Sequence, residues 1–518
     1  MDLDQSKEID DFVDWRGRKV EGNKYGGKRC SIIVCVVEVL ENMVFLANAT
    51  NLVTYLITFM HYPNDEAANT VTNFMGSAFI LTLLGGFICD SFVTRFWTFI
   101  IFCITELLGL VMLMIQASNP ELQPPKDEKP STSQAAFLYM GLYAIALGFG
   151  GIKASLEAHG ADQLDNKNKS LISSFFNWFF FSLVTGGFLA CTLMVYIEDN
   201  KGWNWGFAIC IGALTLSLIV FSTGFATYRN KRPSGSPLTR IFKVLKCSVL
   251  DCSTPTKVVV ATKSHKKFRF LDKALLKPCV AQWEVEETRT FLGLLPIFAS
   301  TIMMNCCLAQ LNTFGVAQGI KMNRKLGHGF EIPPPSLSVI PQVVMLSSIM
   351  LFEGIKVVIL KKQGTTTNIS SSSIFPPLKR IGLGLAMASV SMAVAAIVEV
   401  KRREAAVSDG RIVSVFWLGW QYLLLGVSDM LTLGGMLEFF YSEAPNSMRS
   451  MSTAFAWCST SLGFFFSTVI VSIVNAVSRD KWLGGKDLNE NRLELFYTVL
   501  SVVNILNLLI YMYFAKKY

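Results

Sequence analysis

Several ionisable side chains in this chain stand inside runs of apolar residues, where hydrocarbon offers a charge no water. Glu38 and Glu41 lie in Val37-Glu-Val-Leu-Glu-Asn42, and the i,i+3 and i,i+4 spacings set both carboxylates and Asn42 on one helix face. Two carboxylates this close cannot both ionise cheaply, which makes the pair a candidate proton carrier. The competing assignment is a structural pair fixed by a lysine elsewhere. Lys153 closes the Gly-rich run Leu147-Gly-Phe-Gly-Gly-Ile-Lys153. It could meet those glutamates, bind an anionic substrate, or snorkel to an interface. Glu438, in Gly434-Gly-Met-Leu-Glu438, sits beside a Gly-rich bend and is the next candidate. Asp429, nine residues earlier, falls half a turn out of phase with it; Asp429 and Glu106 read as structural polar contacts.

The elements that carry these residues must be membrane-spanning. Only 16% of the 518 residues are charged and 51% are hydrophobic, whereas a soluble chain has about a quarter charged. The apolar residues fall in blocks of about twenty, the length that crosses a bilayer. Much of the net charge of +9 sits between Tyr228 and Lys277, which reads as a basic cytoplasmic loop rather than a nucleic-acid surface. The twelve cysteines lie mostly in apolar segments without CxxC spacing and the four histidines are scattered, so neither a metal site nor a disulfide framework is expected. No nucleophile–base set shares one location, which argues against an enzyme. The polar first thirty residues and the long apolar run from Cys30 predict a retained span, not a cleaved signal.

Spans are predicted at 30–58, 68–90, 97–117, 135–155, 173–197 and 204–225, then at 291–312, 336–360, 378–400, 413–441, 452–475 and 495–515. The chain thus divides into an arm (1–29), a six-helix bundle (30–225), a basic linker (226–290) and a second six-helix bundle (291–518). Arg16, Arg18, Lys19, Lys24, Lys28 and Arg29 before the first span, Arg95, Lys167, Lys169 and the basic loop place both termini in the cytoplasm. Lys401, Arg402 and Arg403 fall outside, against that rule.

The six-plus-six pattern, with Gly86-Phe-Ile-Cys-Asp90 followed by Arg95, resembles the major facilitator superfamily and its GxxxD…R loop, which braces cytoplasmic helix ends there. The alternative is a Gly-rich helix end with an exposed ion pair. Asn73-Phe-Met-Gly, Gly148-Phe-Gly-Gly-Ile-Lys153, His159-Gly-Ala-Asp-Gln163, Phe175-Phe-Asn-Trp-Phe-Phe-Phe181, Glu438-Phe-Phe-Tyr441, Met448-Arg-Ser450 and Asp487-Leu-Asn489 make the whole chain similar to the plant nitrate/peptide transporter family, a branch of the proton-coupled oligopeptide transporters. Val37-Glu-Val-Leu-Glu-Asn-Met43, Val285-Glu-Glu-Thr-Arg-Thr290 and Met304-Asn-Cys-Cys-Leu-Ala-Gln310 resemble its fourth subfamily, known for importers of abscisic acid and gibberellins.

That resemblance implies an all-α membrane protein of the major facilitator fold, with twelve transmembrane helices in two bundles. It implies a secondary transporter in the plasma membrane, driven by a proton gradient and using no other cofactor. Its partners would be an organic acid hormone and membrane lipid, without nucleic acid, as a monomer or weak homodimer. Glu38, Glu41 and Lys153 would couple protons. Lys153, Glu438, Asn177, Asn305, Leu308 and Trp457 would line the substrate path. Thr98, in Arg95-Phe-Trp-Thr98, stands where a nitrate-carrying relative is phosphorylated, which makes a protein kinase a candidate partner; the alternative is an unmodified Thr packed at the helix end.

Departures from the family pattern shape the substrate class. The family motif ExxER or ExxEK is here Glu38-Val-Leu-Glu41-Asn42, without its basic residue, so coupling of the usual kind is not assured. Phe45 replaces a tyrosine frequent in peptide carriers, and Leu308 replaces the histidine of a nitrate carrier. Leucine gives nitrate no donor, and an apolar residue suits a bulky hydrocarbon substrate. A nitrate or di/tripeptide symporter and a ligand-sensing receptor remain the alternatives.

Overall fold

The computed structural model describes residues 12–20, 25–62, 64–125, 128–165, 168–233, 235–249, 268–277, 280–326, 330–331, 337, 339–362, 376–408, 410–479, 481–483 and 488–518. Lys24, Lys167, Asp487 and residues 250–267 of the basic loop lie outside the described residues.

Among the described residues, twelve long helices carry the fold. In the first half these are α1 (Lys28–Thr54), α2 (Asn64–Ser91), α3 (Arg95–Ser118), α4 (Thr132–Asp162), α5 (Lys169–Leu189) and α6 (Trp203–Thr223). In the second half they are α7 (Gln282–Asn312), α8 (Val339–Lys362), α9 (Pro377–Ser408), α10 (Leu418–Glu443), α11 (Arg449–Ser478) and α12 (Leu493–Lys517). Eleven are long and apolar enough to cross a bilayer alone; the apolar stretch of α8, Val339–Ile355, is shorter. Ile101, Leu108 and Ile115 on α3 and Ile505, Leu509 and Met512 on α12 are exposed, as lipid-facing stripes require.

The helices end where the local sequence stops or caps them. α4 starts at the capping box of Ser131 and Gln134, each side chain taking the other's backbone N–H. It does not stop at 155 but runs to Asp162, so Lys153 is an interior residue, buried with no exposed surface. This corrects the reading of Lys153 as a helix-closing residue: Ala154, Ser155, Leu156 and Glu157 contain no breaker, and burial continues through Asp162. α7 likewise begins at Gln282 rather than at 291, because Glu284 caps its first turn by accepting from the Ala281 backbone N–H at 2.9 Å. α10 passes through Gly434 and Gly435 without a break, correcting the expected bend. There the missing side chains make room for α9, since a Cβ on Gly434 would stand 2.7 Å from Arg380 Nη2. α1 and α5 each continue as a π-helical turn, Tyr55–Phe59 and Ala190–Met194.

The two ends of the described residues, Phe12 and Tyr518, lie on one side. Phe12–Val13 pairs antiparallel with Asn230–Lys231 just beyond α6, and Tyr518 Oη donates to Glu443 at the end of α10. The linker between the halves forms a helix, Pro237–Val249, whose Ile241 packs on Met448 and Met451. The three basic residues that break the inside-positive pattern are held by neighbours: Arg402 pairs with Glu399, Arg403 with Glu494, and Lys401 lies 5.0 Å over Trp417.

α2 and α4 approach through glycine. A Cβ on Gly85 would come within 2.6 Å of Gly150 O and 2.7 Å of Gly151 Cα, both backbone atoms that cannot swing aside. Gly85→Ala is therefore expected to destabilise the protein by about 1–3 kcal/mol. Gly212→Ala, with nothing within 4 Å, is the neutral control. Thermal unfolding of the two variants in detergent checks this; equal midpoints would remove the close-packing argument.

Candidate functional site

Three of the ionisable residues picked from the sequence, Glu38, Glu41 and Lys153, converge where α1 meets α4. Lys153 Nζ contacts the Glu38 carboxylate, Glu41 Oε2 at 2.6 Å and Asn42 Oδ1 at 3.2 Å. Glu38 and Asn42 accept hydrogen bonds from the ammonium, and Glu41 pairs with it by charge. Asn42 in turn donates from Nδ2 to Leu183 O on α5 at 2.7 Å, which fixes its amide orientation. Lys153, Glu38 and Glu41 have no exposed surface, and one cation faces two carboxylates there. An excess buried negative charge is costly.

Aromatic rings wall this cluster. Phe45 stacks on Phe149 with centroids 3.6 Å apart, Phe79 meets Phe149 edge-on at 5.4 Å, and Phe79 lies parallel to Trp457 at 5.8 Å. Lys153 Nζ stands 5.3 Å from the Phe149 centroid and 5.6 Å from Trp457. Trp457 comes from α11, so the wall joins both halves of the protein. Its Nε1–H donates to Glu157 Oε1 at 2.5 Å, one turn beyond Lys153 on α4.

Toward the side that carries the termini, a second polar layer ties the halves together. Arg95 donates from Nε to Ser450 Oγ at 2.8 Å, reaches Asp90 at 3.4 Å and pairs with Asp162. Asp90 accepts the backbone N–H groups of Ser450 and Met451, at 3.4 and 2.9 Å, in the first turn of α11. A carboxylate there meets the positive end of the helix dipole. Tyr441 Oη donates to Asp162 Oδ1 at 2.6 Å, and Arg449 lies 3.9 Å from the same oxygen. Nearby, Ser173 on α5 donates to Glu438, which pairs with Arg380 at 3.2 Å. Asn177 and Ser174 donate to Glu353 on α8, at 2.5 and 3.1 Å.

Glu106 lies within electrostatic reach of Glu41 and Lys153, and the other residues singled out from the sequence have other surroundings. Asn305 binds Ser459 Oγ at 3.0 Å and accepts from Thr460 at 3.3 Å, joining α7 to α11 within the second half. Leu308 is half-buried. Thr98 is buried without exposed surface and donates to Thr94 O at 3.1 Å, so a kinase would reach it only if this end of α3 opened. Asp429 is buried. Glu106 packs on Gly148, and neither carboxylate oxygen has a hydrogen bond.

Two six-helix halves joined by a linker, with hydrogen bonds and a charge pair spanning their interface, match a known architecture. Residues 96–487 fit the PTR2 profile, described as the POT family. The chain belongs to the POT family. It is 54% identical to Protein NRT1/ PTR FAMILY 4.2 and 53% identical to Protein NRT1/ PTR FAMILY 4.1, both of Arabidopsis thaliana, over 98% of each chain. It is 36% identical to Protein NRT1/ PTR FAMILY 6.3 of the same plant, over 100% of this chain and 96% of that one. The in meso crystal structure of the POT family transporter PepTSo superposes with a TM-score of 0.68 at 20% identity, over 95% of this chain and 98% of that one. A POT family transporter in complex with 5-aminolevulinic acid gives 0.63 at 12% identity, over 94% and 96%. These superpositions carry the major facilitator fold, and the family makes the chain a membrane transporter.

Sequence reading passed over Glu157, Asp162, Glu353 and Arg380 in this POT-family chain. Glu157 is four residues from Lys153 and would share its face had α4 been carried past 155. Glu353 lies within the predicted eighth span, so the intramembrane charge itself was the signal. Arg380 lies within the predicted ninth span, so its charge was again the signal, and it is 1% exposed.

Proposed function

We propose that this POT-family chain is a proton-linked importer of apolar carboxylate hormones, abscisic acid or a gibberellin, in the plasma membrane with cytoplasmic termini. The observation that supports it is one ammonium, Lys153, whose N–H donors are held by Glu38 and Asn42 and whose charge pairs with Glu41, inside a wall of Phe45, Phe79, Phe149 and Trp457. A substrate carboxylate needs one of those donors. Protonating Glu41 or Glu38 weakens its hold on Lys153 and frees a donor, so proton and anion enter together. Asn42, being neutral, leaves Lys153 without a like-charged neighbour at that position and still orients it. The aromatic wall and Leu308 suit a hydrocarbon skeleton, which nitrate does not have and a dipeptide has only in part.

In this scheme Glu438 and Asn177 act at the interface between the halves, through Ser173 and Glu353, and close the path after loading. Asn305, Leu308 and Trp457 shape the wall contributed by the second half. Alternation between the two sides follows the rocking of the two repeats.

Cells expressing the chain are to be given labelled abscisic acid, gibberellin, nitrate and a dipeptide at about pH 5.5 and about pH 7.5. Hormone accumulation above that of control cells, greater at acid pH, is expected. Accumulation of nitrate or dipeptide alone would overturn the substrate class, and binding without accumulation would favour a receptor. Glu41→Gln mimics the protonated side chain. It is expected to bring uptake at neutral pH within about twofold of uptake at acid pH. A pH profile like that of the unsubstituted protein would remove Glu41 from coupling.

A further inference from the structure

Glu157 is the buried carboxylate that the scheme above does not use, and it stands at a junction. One of its oxygens accepts the Trp457 Nε1–H at 2.5 Å; the other has no hydrogen bond and no exposed surface. The bond runs from α4 in the first half to α11 in the second, so it must stretch or break when the halves rock apart. It is also one helical turn from Lys153, whose ring contacts include the same Trp457.

We infer that Glu157 and Trp457 form a proton-released latch between the two halves, which lets an anionic substrate reach Lys153 only when Glu157 is protonated. Resting on the carboxylate-transport reading above, this assigns part of the proton linkage to Glu157, outside the α1 motif. The reasoning is electrostatic. An ionised Glu157 makes a charge-assisted hydrogen bond to the indole, about twice as strong as a neutral one. Protonation removes the charge, weakens the bond, and takes a repelling anion from the path to Lys153.

The groups around Glu157 have definite signs. On α1 they are the carboxyl groups of Glu38 and Glu41, and on its own helix the ammonium of Lys153. α11 supplies the neutral Trp457. Asp90 of α2 and Arg95 of α3 belong to the layer around Asp162, about 7.5 Å further along α4. Glu106 of α3 lies in the other direction, against Gly148. With all of Glu38, Glu41 and Glu157 ionised, three negative charges face one ammonium, and an incoming carboxylate would add a fourth. Protons must enter for the site to load.

The test separates this latch from the identity of the substrate. Hydrogen–deuterium exchange of α4 and α11 is read in purified, substrate-free protein at about pH 5.5 and about pH 7.5, corrected for the intrinsic pH dependence of exchange. The unsubstituted protein is expected to exchange about threefold or more faster at acid pH in both helices. Glu157→Gln and Trp457→Phe, which remove the charge and the donor separately, should each bring that ratio close to one. In parallel, Glu157→Gln should lower the acid-to-neutral ratio of hormone uptake by about threefold. An unsubstituted protein whose exchange does not depend on pH overturns the latch whether or not the variants fold, as do variants that keep its ratio. Exchange that behaves as expected without hormone accumulation leaves the latch standing and defeats the substrate reading instead.

Discussion

Lys153→Ala is expected to abolish uptake and to destabilise the folded protein by about 3–5 kcal/mol at neutral pH, the cost of stranding a buried charge. Glu38 and Glu41 would keep their burial and lose their shared counter-ion; Asn42 would lose its donor. The penalty has a sign with pH. Carboxylates without a cation are relieved by protonation, so the variant should recover part of its stability as pH falls. Adding Glu41→Gln to Lys153→Ala should recover stability in the same way, because one stranded charge is gone. It should not recover uptake, because no ammonium remains for a substrate carboxylate. Double-mutant thermal unfolding, with uptake measured at equal surface abundance, checks both statements. Wild-type uptake by Lys153→Ala would show that the cluster is only structural.

Arg95→Ala is expected to cost about 3–5 kcal/mol as well, and to lower uptake about tenfold or more, through the other polar layer. Arg95 is 3% exposed and gathers Asp90, Asp162 and Ser450 from three helices, so its loss leaves two buried carboxylates without their main cation. Arg449, 3.9 Å from Asp162, cannot replace the contact with Asp90. Because Ser450 belongs to the second half, this arginine also holds the two halves closed on the side of the termini. A matched surface pair sets the scale: Arg403 meets Glu494 at 2.9 Å but is 29% exposed, so Arg403→Ala should cost no more than about 1 kcal/mol. Thermal unfolding and uptake of the two variants compare them directly. Equal small effects would mean that the Asp90–Arg95–Asp162 layer is solvated and does not act as a brace.

How much of this was legible in the sequence depended on where each residue's partner lies. Spans were readable because bilayer thickness imposes a length and hydrocarbon imposes a composition, neither of which needs tertiary contacts. Glu38, Glu41 and Lys153 were readable because a charge in an apolar run needs a partner, and few were on offer. Their meeting in one cluster follows from that scarcity. Glu157 and Asp162 were missed for a local reason: the Gly-rich run before Lys153 looked like a helix end, whereas its glycines make room for α2 and α3 and the helix continues. Asn305, expected to line the path from its place on a span and the family likeness, bonds to Ser459 and Thr460, partners that its span alone does not reveal. Nothing in a single span's spacing tells a side chain that faces a neighbouring helix from one that faces a path. Glu438 shows the same limit, since its partners Arg380 and Ser173 come from helices distant in sequence.

Purified protein in proteoliposomes gives the most direct measurement, with an inward proton gradient imposed and internal labelled abscisic acid and gibberellin followed over time. Accumulation above both the equilibrium level and the leak into protein-free vesicles, abolished by collapsing the gradient and absent with Lys153→Ala, is the predicted result. Hormone levels matching protein-free vesicles at every gradient, with the protein folded and correctly inserted, would contradict proton-linked carboxylate transport through Lys153.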